Sequence, residues 1–157
     1  ALELDLCRQP VGCEKRRAEA RRCHVILVDS SVWIDFFMGA QNPATRQLVR
    51  LLSDRAFTLG SADLVIYEVM RGFRPGKLMR EAQSLLTALP QVSLGGLDNA
   101  LEAATHYRAL RALGHTIRSP IDVLLASYCI THGHLLLHRD GDFDVLETLR
   151  GLRVWRH

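Results

Sequence analysis

The chain has 157 residues, 48% apolar and 24% charged, with a formal net charge of +3. That length suits one domain around a single core, and no run approaches the roughly 18–20 consecutive apolar residues of a membrane helix. Six Lys/Arg and four acids lie in residues 1–24, leaving 14 basic and 13 acidic groups in the rest, a balance too nearly neutral for a general polyanion binder.

Residues 1–24 show no sustained apolar period and predict a frayed tail or a short helix. They lack the positive start and apolar stretch of a secretory signal. Three of the four cysteines (Cys7, Cys13, Cys23) fall there and the fourth is Cys129, which is not the dense framework of a secreted domain. The expectation is a reducing, cytoplasmic location with free thiols. Paired short Cys spacing is missing, so no zinc site is expected from these cysteines and His24.

From Val25 onward the pattern is alternating strands and helices. Residues 24–28 form a short β-branched run suited to a strand buried on both faces, after which Ser30 and Ser31 can cap a helix over 32–38. Asn42-Pro43 reads as an N-cap with proline at the first helical position, opening a helix to about Leu52. A strand over 56–59 and a helix over 61–72 follow. Residues 76–89 repeat apolar side chains at three- and four-residue intervals, hence a helix, and 92–94 is a short strand. Residues 97–113 predict a long amphipathic helix closed by Gly114. Ser119-Pro120 opens another that reaches Thr131 and stops at Gly133. A buried strand over 135–137, a helix over 143–149 and a strand over 152–155 complete the chain. Such alternation predicts a three-layer α/β/α sandwich with a mostly parallel central sheet.

In an open parallel sheet, sites form beyond the carboxyl ends of the strands. Asp29 is the first polar residue after the strand ending at Val28. Asp140 and Asp142 follow the strand 135–137. Glu68 interrupts an apolar helix, LVIYEVM, in which Val65, Ile66 and Val69 should face the core. Asp122 lies in the first turn of the helix opened by Ser119. Taken singly, each has a structural role available: Asp29 and Asp140 or Asp142 as helix starters, Asp122 in capping-box spacing with Ser119, Glu68 on a solvated stripe. Two acids at strand ends and two on helices are also what a shared pocket requires.

The segments VILVDSSVWIDFF, YEVMRG, RSPIDVLLAS and LLLHRDGDFDVL resemble, in order, four conserved elements of PIN-domain proteins, and the overall extent is similar to VapC-type toxins of toxin–antitoxin pairs. The resemblance covers residues 25–155. It implies an endoribonuclease dependent on Mg²⁺ or Mn²⁺, with Asp29, Glu68, Asp122 and Asp140 catalytic. Asp29, Asp122, Asp140 and Asp142 are the implied metal ligands, with Asp142 an additional or substitute last acid, and Ser31 supports Asp29. It further implies a cognate VapB-type antitoxin that enters the acidic cleft, and a homodimer. Other readings are a PIN nuclease of RNA processing without an antitoxin, and a catalytically silent PIN-like binding module. Since a PIN domain begins at its first strand, residues 1–24 are expected to be an N-terminal extension, disordered or derived from an upstream start, and 25–157 the domain.

The chemistry is consistent with the residue types. Two carboxylates about 4 Å apart repel by roughly 4 kcal/mol at an effective dielectric near 20, so four in one cleft require a cation or protons. An all-oxygen set suits a hard divalent ion. Arg118 and Arg139, each within four residues of a proposed ligand, are the candidate contacts to an RNA backbone. Trp33 is expected in the core, and His132, His134 and His138 at turns and on the surface.

Overall fold

The structure, a computed structural model, describes residues 25–157. The expectations for residues 1–24, their cysteines and His24 lie outside the described residues. The order is β1 (Val25–Val28), α1 (Ser30–Phe37), α2 (Pro43–Ser53), β2 (Thr58–Ala62), α3 (Asp63–Arg71), α4 (Lys77–Ala88), β3 (Gln91–Val92), α5 (Leu97–Ala112), α6 (Pro120–His132), β4 (Leu135–Leu137), α7 (Gly141–Arg150) and β5 (Arg153–Val154).

The strands pair in the order β3-β2-β1-β4-β5, and every pairing is parallel. Central β1 is flanked on both edges, with Ile26 opposite both Leu59 and Leu135. Its Ile26, Leu27 and Val28 are therefore fully buried, as a continuous apolar run in a covered parallel sheet should be. The chain moves outward through β2 to β3, then crosses to the other side of β1 for β4 and β5. With right-handed crossovers this reversal puts α1–α4 on one face and α5–α7 on the other. The helix contacts agree: α1 packs on α2 and α3, and α3 on α4, whereas α6 packs on α5 and α7. The result is the three-layer sandwich.

Local chemistry explains most boundaries. Asn42 accepts from the Thr45 N–H while the Thr45 hydroxyl accepts from the Asn42 N–H, both at 3.0 Å, a reciprocal box ahead of Pro43. Ser119 accepts from the Asp122 N–H at 3.3 Å ahead of Pro120. Gly133 closes α6 at φ 68°, a left-handed conformation that favours glycine. On β2, a Cβ at Gly60 would stand 2.6 Å from Val25 Cγ1, so glycine lets β1 and β2 lie with their facing side chains in contact.

Several details differ from the sequence expectation, among them the third strand, which covers Gln91–Val92 rather than 92–94. The second strand runs over Thr58–Ala62 rather than 56–59, and its helix starts at Asp63 rather than residue 61. Ser61 and Ala62 are drawn into the sheet by β3, with Ser61 opposite Gln91 and its N–H donating to the Pro90 carbonyl. The helix α1 begins at Ser30, and Asp29 rather than a serine is its N-cap. Helix α5 buries Ala103, His106 and Leu110 and leaves Leu97 and Leu101 outward. Of its leucines, Leu110 makes the core contact, while Leu97 and Leu101 do not. Trp33 is fully buried and stacks on Phe37, as expected of a core residue.

Candidate active site

In an open parallel sheet a crevice forms where the chain leaves two neighbouring strands in opposite directions. Here that place is between β1 and β4, because the chain leaves β1 towards β2 and β4 towards β5. Asp29 follows β1 directly, and its N–H donates to the Leu137 carbonyl at the end of β4 at 2.9 Å. Asp140 begins α7 just beyond β4, accepting from the Asp142 N–H at 2.9 Å. Glu68 arrives from α3 on one layer and Asp122 from α6 on the other.

These side chains form two overlapping groups. Carboxylate oxygens of Asp29, Glu68 and Asp122 lie within 4.8 Å of one another, and so do those of Asp122, Asp140 and Asp142. All five acids singled out from the sequence therefore come together, with Asp122 common to both groups. Asp29 and Asp140 are helix caps as well as pocket residues; the structural and the functional readings of these two positions hold together.

The electrostatics are those of crowded anions. Asp29 is almost fully buried, and that burial holds its carboxyl above the usual range against hydrogen bonds from Ser31 and Ser30 that favour the charged form. Ser31 contributes twice, donating its N–H at 3.0 Å and its hydroxyl to Asp29 Oδ2. Asp122 is pushed up to about 7, first by burial and then by the charge of Asp29, with Glu68 and Asp140 adding to it and the Ser119 contact opposing. Glu68 Oε2 is buried with no hydrogen-bond partner. A buried carboxylate oxygen without a donor is costly, and a hard cation bound by oxygen ligands would satisfy it. The residues present fit Mg²⁺ or Mn²⁺.

Around the acids the cations divide. Arg118 donates its main-chain N–H to Asp142 Oδ2 at 3.1 Å, and its exposed guanidinium lies 3.6 Å from Asp142 and 4.0 Å from Asp140. Arg118 also lines an apolar groove of about 500 Å³ between α5 and α6, with Ala103, Tyr107 and Val123. Arg139 pairs instead with Asp35 of α1, which is itself bonded by Asn42 at 2.8 Å.

Some neighbours of the site were not legible in advance. His138, expected at the surface, is buried; its Nδ1 lies 3.1 Å from the Asp140 carbonyl and its ring packs on Phe143 at 5.0 Å. Burial lowers its pKa, against the charges of Asp144 and Asp29. Asp35 as the partner of Arg139 was equally unforeseen: nothing local links the end of α1 to the loop after β4. Cys129, the one described cysteine, is a free thiol inside the core, where burial pushes its pKa up.

A parallel α/β sandwich with carboxylates gathered at its topological switch point defines the class, and the family follows. The PIN domain model matches residues 26–149, and the chain belongs to the PIN-domain family. Within it, the chain is 32% identical over 130 residues to a VapC ribonuclease of Mycobacterium bovis and to ribonuclease VapC11 of Mycobacterium tuberculosis, covering 83% of this chain and 97% of each relative. Among solved structures it is similar to VapBC2 from Rickettsia felis bound to a promoter DNA fragment, with a TM-score of 0.62, 16% identity and coverage of 84% of this chain and 99% of that one. It is also similar to DNA-bound VapBC from Salmonella typhimurium, with a TM-score of 0.64, 14% identity and coverage of 84% and 97%. At such identities the structural likeness speaks for the fold.

Proposed function

We propose that this chain is a Mg²⁺- or Mn²⁺-dependent endoribonuclease acting as the toxin of a VapBC-type toxin–antitoxin pair. The observation that carries this reading is the convergence of Asp29, Glu68 and Asp122 within 4.8 Å at the switch point of the sheet, with a Glu68 oxygen buried and unpartnered. The resemblance to ribonucleases named VapC supports the substrate class. Retention of every acid favours an active nuclease over a silent binding module.

In this reading Asp29, Asp122 and Asp140, with Asp142, hold the divalent ion, and Glu68 binds it or positions the attacking water. When bound, such an ion offsets the charge that develops on a phosphodiester and eases deprotonation of water. The protein's part is orientation. Ser31 holds the Asp29 carboxylate by two donors, and Ser119 fixes the first turn of α6, which carries Asp122. Rigid placement of this kind removes reorganisation from the reaction. Arg118, beside Asp140 and Asp142, and Arg139, on leaving Asp35, receive the RNA backbone on either side of the cleaved bond.

The partners in this reading are the RNA substrate and a VapB-type antitoxin that inserts into the acidic cleft, in line with the VapBC assemblies whose folds this chain resembles. A homodimer is part of the same reading; the exposed Leu97 and Leu101 on one side of α5 are the kind of apolar surface that a second subunit covers. The protein acts in the cytoplasm, where its RNA is. No helix among the described residues is long and apolar enough to cross a membrane.

The deciding experiment is RNA cleavage by purified protein with Mg²⁺ or Mn²⁺ and after chelation. Cleavage should need the ion and fall at least a hundredfold in Asp29→Asn, while the circular dichroism spectrum is unchanged. Ion-independent cleavage, or full activity in Asp29→Asn, would refute the reading. A neighbouring small gene whose product binds the chain and silences it separates a toxin from an RNA-processing enzyme.

A further inference from the structure

We infer that Tyr67 and Arg71 form a stacking platform on the α3 rim of the cleft, which holds the base of a nucleotide beside the cleaved bond and takes the adjoining phosphate. The inference rests on the ribonuclease reading above and adds a base contact to it. Tyr67 immediately precedes Glu68, and Arg71 is a helical neighbour of both, four positions after Tyr67 and three after Glu68. The pair therefore stands within one turn of a cleft acid.

Helix α3 does not use either side chain to hold its place. It packs on α1 and α4 and is anchored by Val65 and Val69, which are fully buried. Leu64, Ile66 and Met70 pack against the same core. Tyr67 is 57% exposed, and Arg71 is exposed beside it, with its guanidinium carbon 5.7 Å from the centre of the Tyr67 ring. Among the described residues Arg71 forms no ion pair, not even with Glu68 one turn away. Arg118 and Arg139 differ in this, since the first lies by Asp140 and Asp142 and the second on Asp35. Arg71 is thus a rim cation whose charge no carboxylate offsets.

An exposed aromatic ring with such a cation over it suits an unpaired nucleotide. Every base has a π face, and stacking on tyrosine or on a guanidinium plane holds it without regard to sequence. The permanent charge of Arg71 suits the adjoining phosphate and favours an anionic ligand over an apolar protein surface. Arg74, exposed just beyond the end of α3, continues the basic surface away from the acids. A base fixed here keeps the strand from sliding, so that its phosphodiester comes to rest over the carboxylates.

The test is steady-state cleavage of a single-stranded RNA that wild type cuts, beside copies carrying one abasic nucleotide at successive positions around the cut. At one position next to the cut, loss of the base should raise the wild-type KM about tenfold. Tyr67→Leu changes an exposed residue to a good helix former. It should show that raised KM on intact RNA and no further rise on the abasic copy, with kcat within about twofold of wild type. Tyr67→Phe should restore the wild-type pattern, and Arg71→Gln should raise KM on intact and abasic RNA alike. A wild-type KM in Tyr67→Leu or in Arg71→Gln would overturn the inference and leave the pair to a protein partner. So would Tyr67→Leu and abasic losses that simply multiply at every position, as a merely structural effect gives. Wild type that cuts no RNA would overturn the nuclease reading itself.

Discussion

Asp122 is common to both carboxylate groups, and its surroundings work against its charge. Its pKa of about 7 arises from burial first and the Asp29 charge second. In the unfolded chain the same carboxyl titrates near 4. Between those values the folded, metal-free protein holds a proton that the unfolded chain has released, so stability falls as pH rises through that window. Asp29, raised by burial, acts in the same direction. His138 and His106, whose pKa values burial lowers, act in the opposite direction, so the Asp122 contribution is read as the difference between wild type and Asp122→Asn. With chelator present, that contribution should favour pH 5 over pH 7.5 by on the order of 2 kcal/mol once screening by nearby solvent is allowed for. Asp122→Asn should remove it and stabilise the metal-free protein at pH 7.5, as thermal melts of the two proteins across pH would show. The same pH dependence in both proteins would mean that Asp122 is held charged by something other than a bound ion.

Ser31 shows a second residue-scale dependence. Its hydroxyl and N–H both favour the ionised form of Asp29. Ser31→Ala keeps the N–H and removes the hydroxyl. Mn²⁺ affinity should fall about tenfold, corresponding to roughly 1.4 kcal/mol for a charge-assisted hydrogen bond, with the fold intact. Affinity equal to wild type would remove Ser31 from the site.

At the scale of elements, the site is a matter of how strands and helices begin and end. The first turn of α6 carries Asp122 and is held by Ser119, so Ser119→Ala should lower stability by about 1 kcal/mol, as loss of an N-cap does. It should also weaken metal binding, because the turn that positions Asp122 loses its fixed start. Urea unfolding and a Mn²⁺ titration of the same variant test the two effects separately. Capping residues were readable in advance because their hydrogen bonds run to residues two or three positions away. Asn42-Pro43 and Ser119-Pro120 open helices as expected. The start of α3 was misplaced because Ser61 and Ala62 join β2 only by pairing with residues 91–92, about thirty positions on. No local preference of Gly-Ser-Ala announces a strand.

At the scale of the whole molecule, stability and function draw on different residues. Trp33 is fully buried, packing on Phe36 and Phe37. Trp33→Ala should cost about 3–5 kcal/mol, as removal of a large core aromatic does, measured by urea denaturation. It should do so equally with and without Mn²⁺, provided the ion binds the folded form alone. Saturating Mn²⁺ should raise the stability of wild type by mass action and leave an Asp29→Asn, Asp122→Asn double variant unmoved.

The sequence by itself determined the alternation of strands and helices, the buried run at β1, and the place of each acid at a strand end or on a helix. These depend on periodicity and on neighbours a few residues apart. It did not determine that Glu68 meets Asp29 and Asp122 while Asp140 and Asp142 are met by Arg118, nor that His138 is buried beneath Asp140. Those outcomes follow from strand order. Placing β4 beside β1 brings residues more than ninety positions apart to one crevice, and the crossover that does so is chosen by packing of the whole core rather than by any segment of the chain.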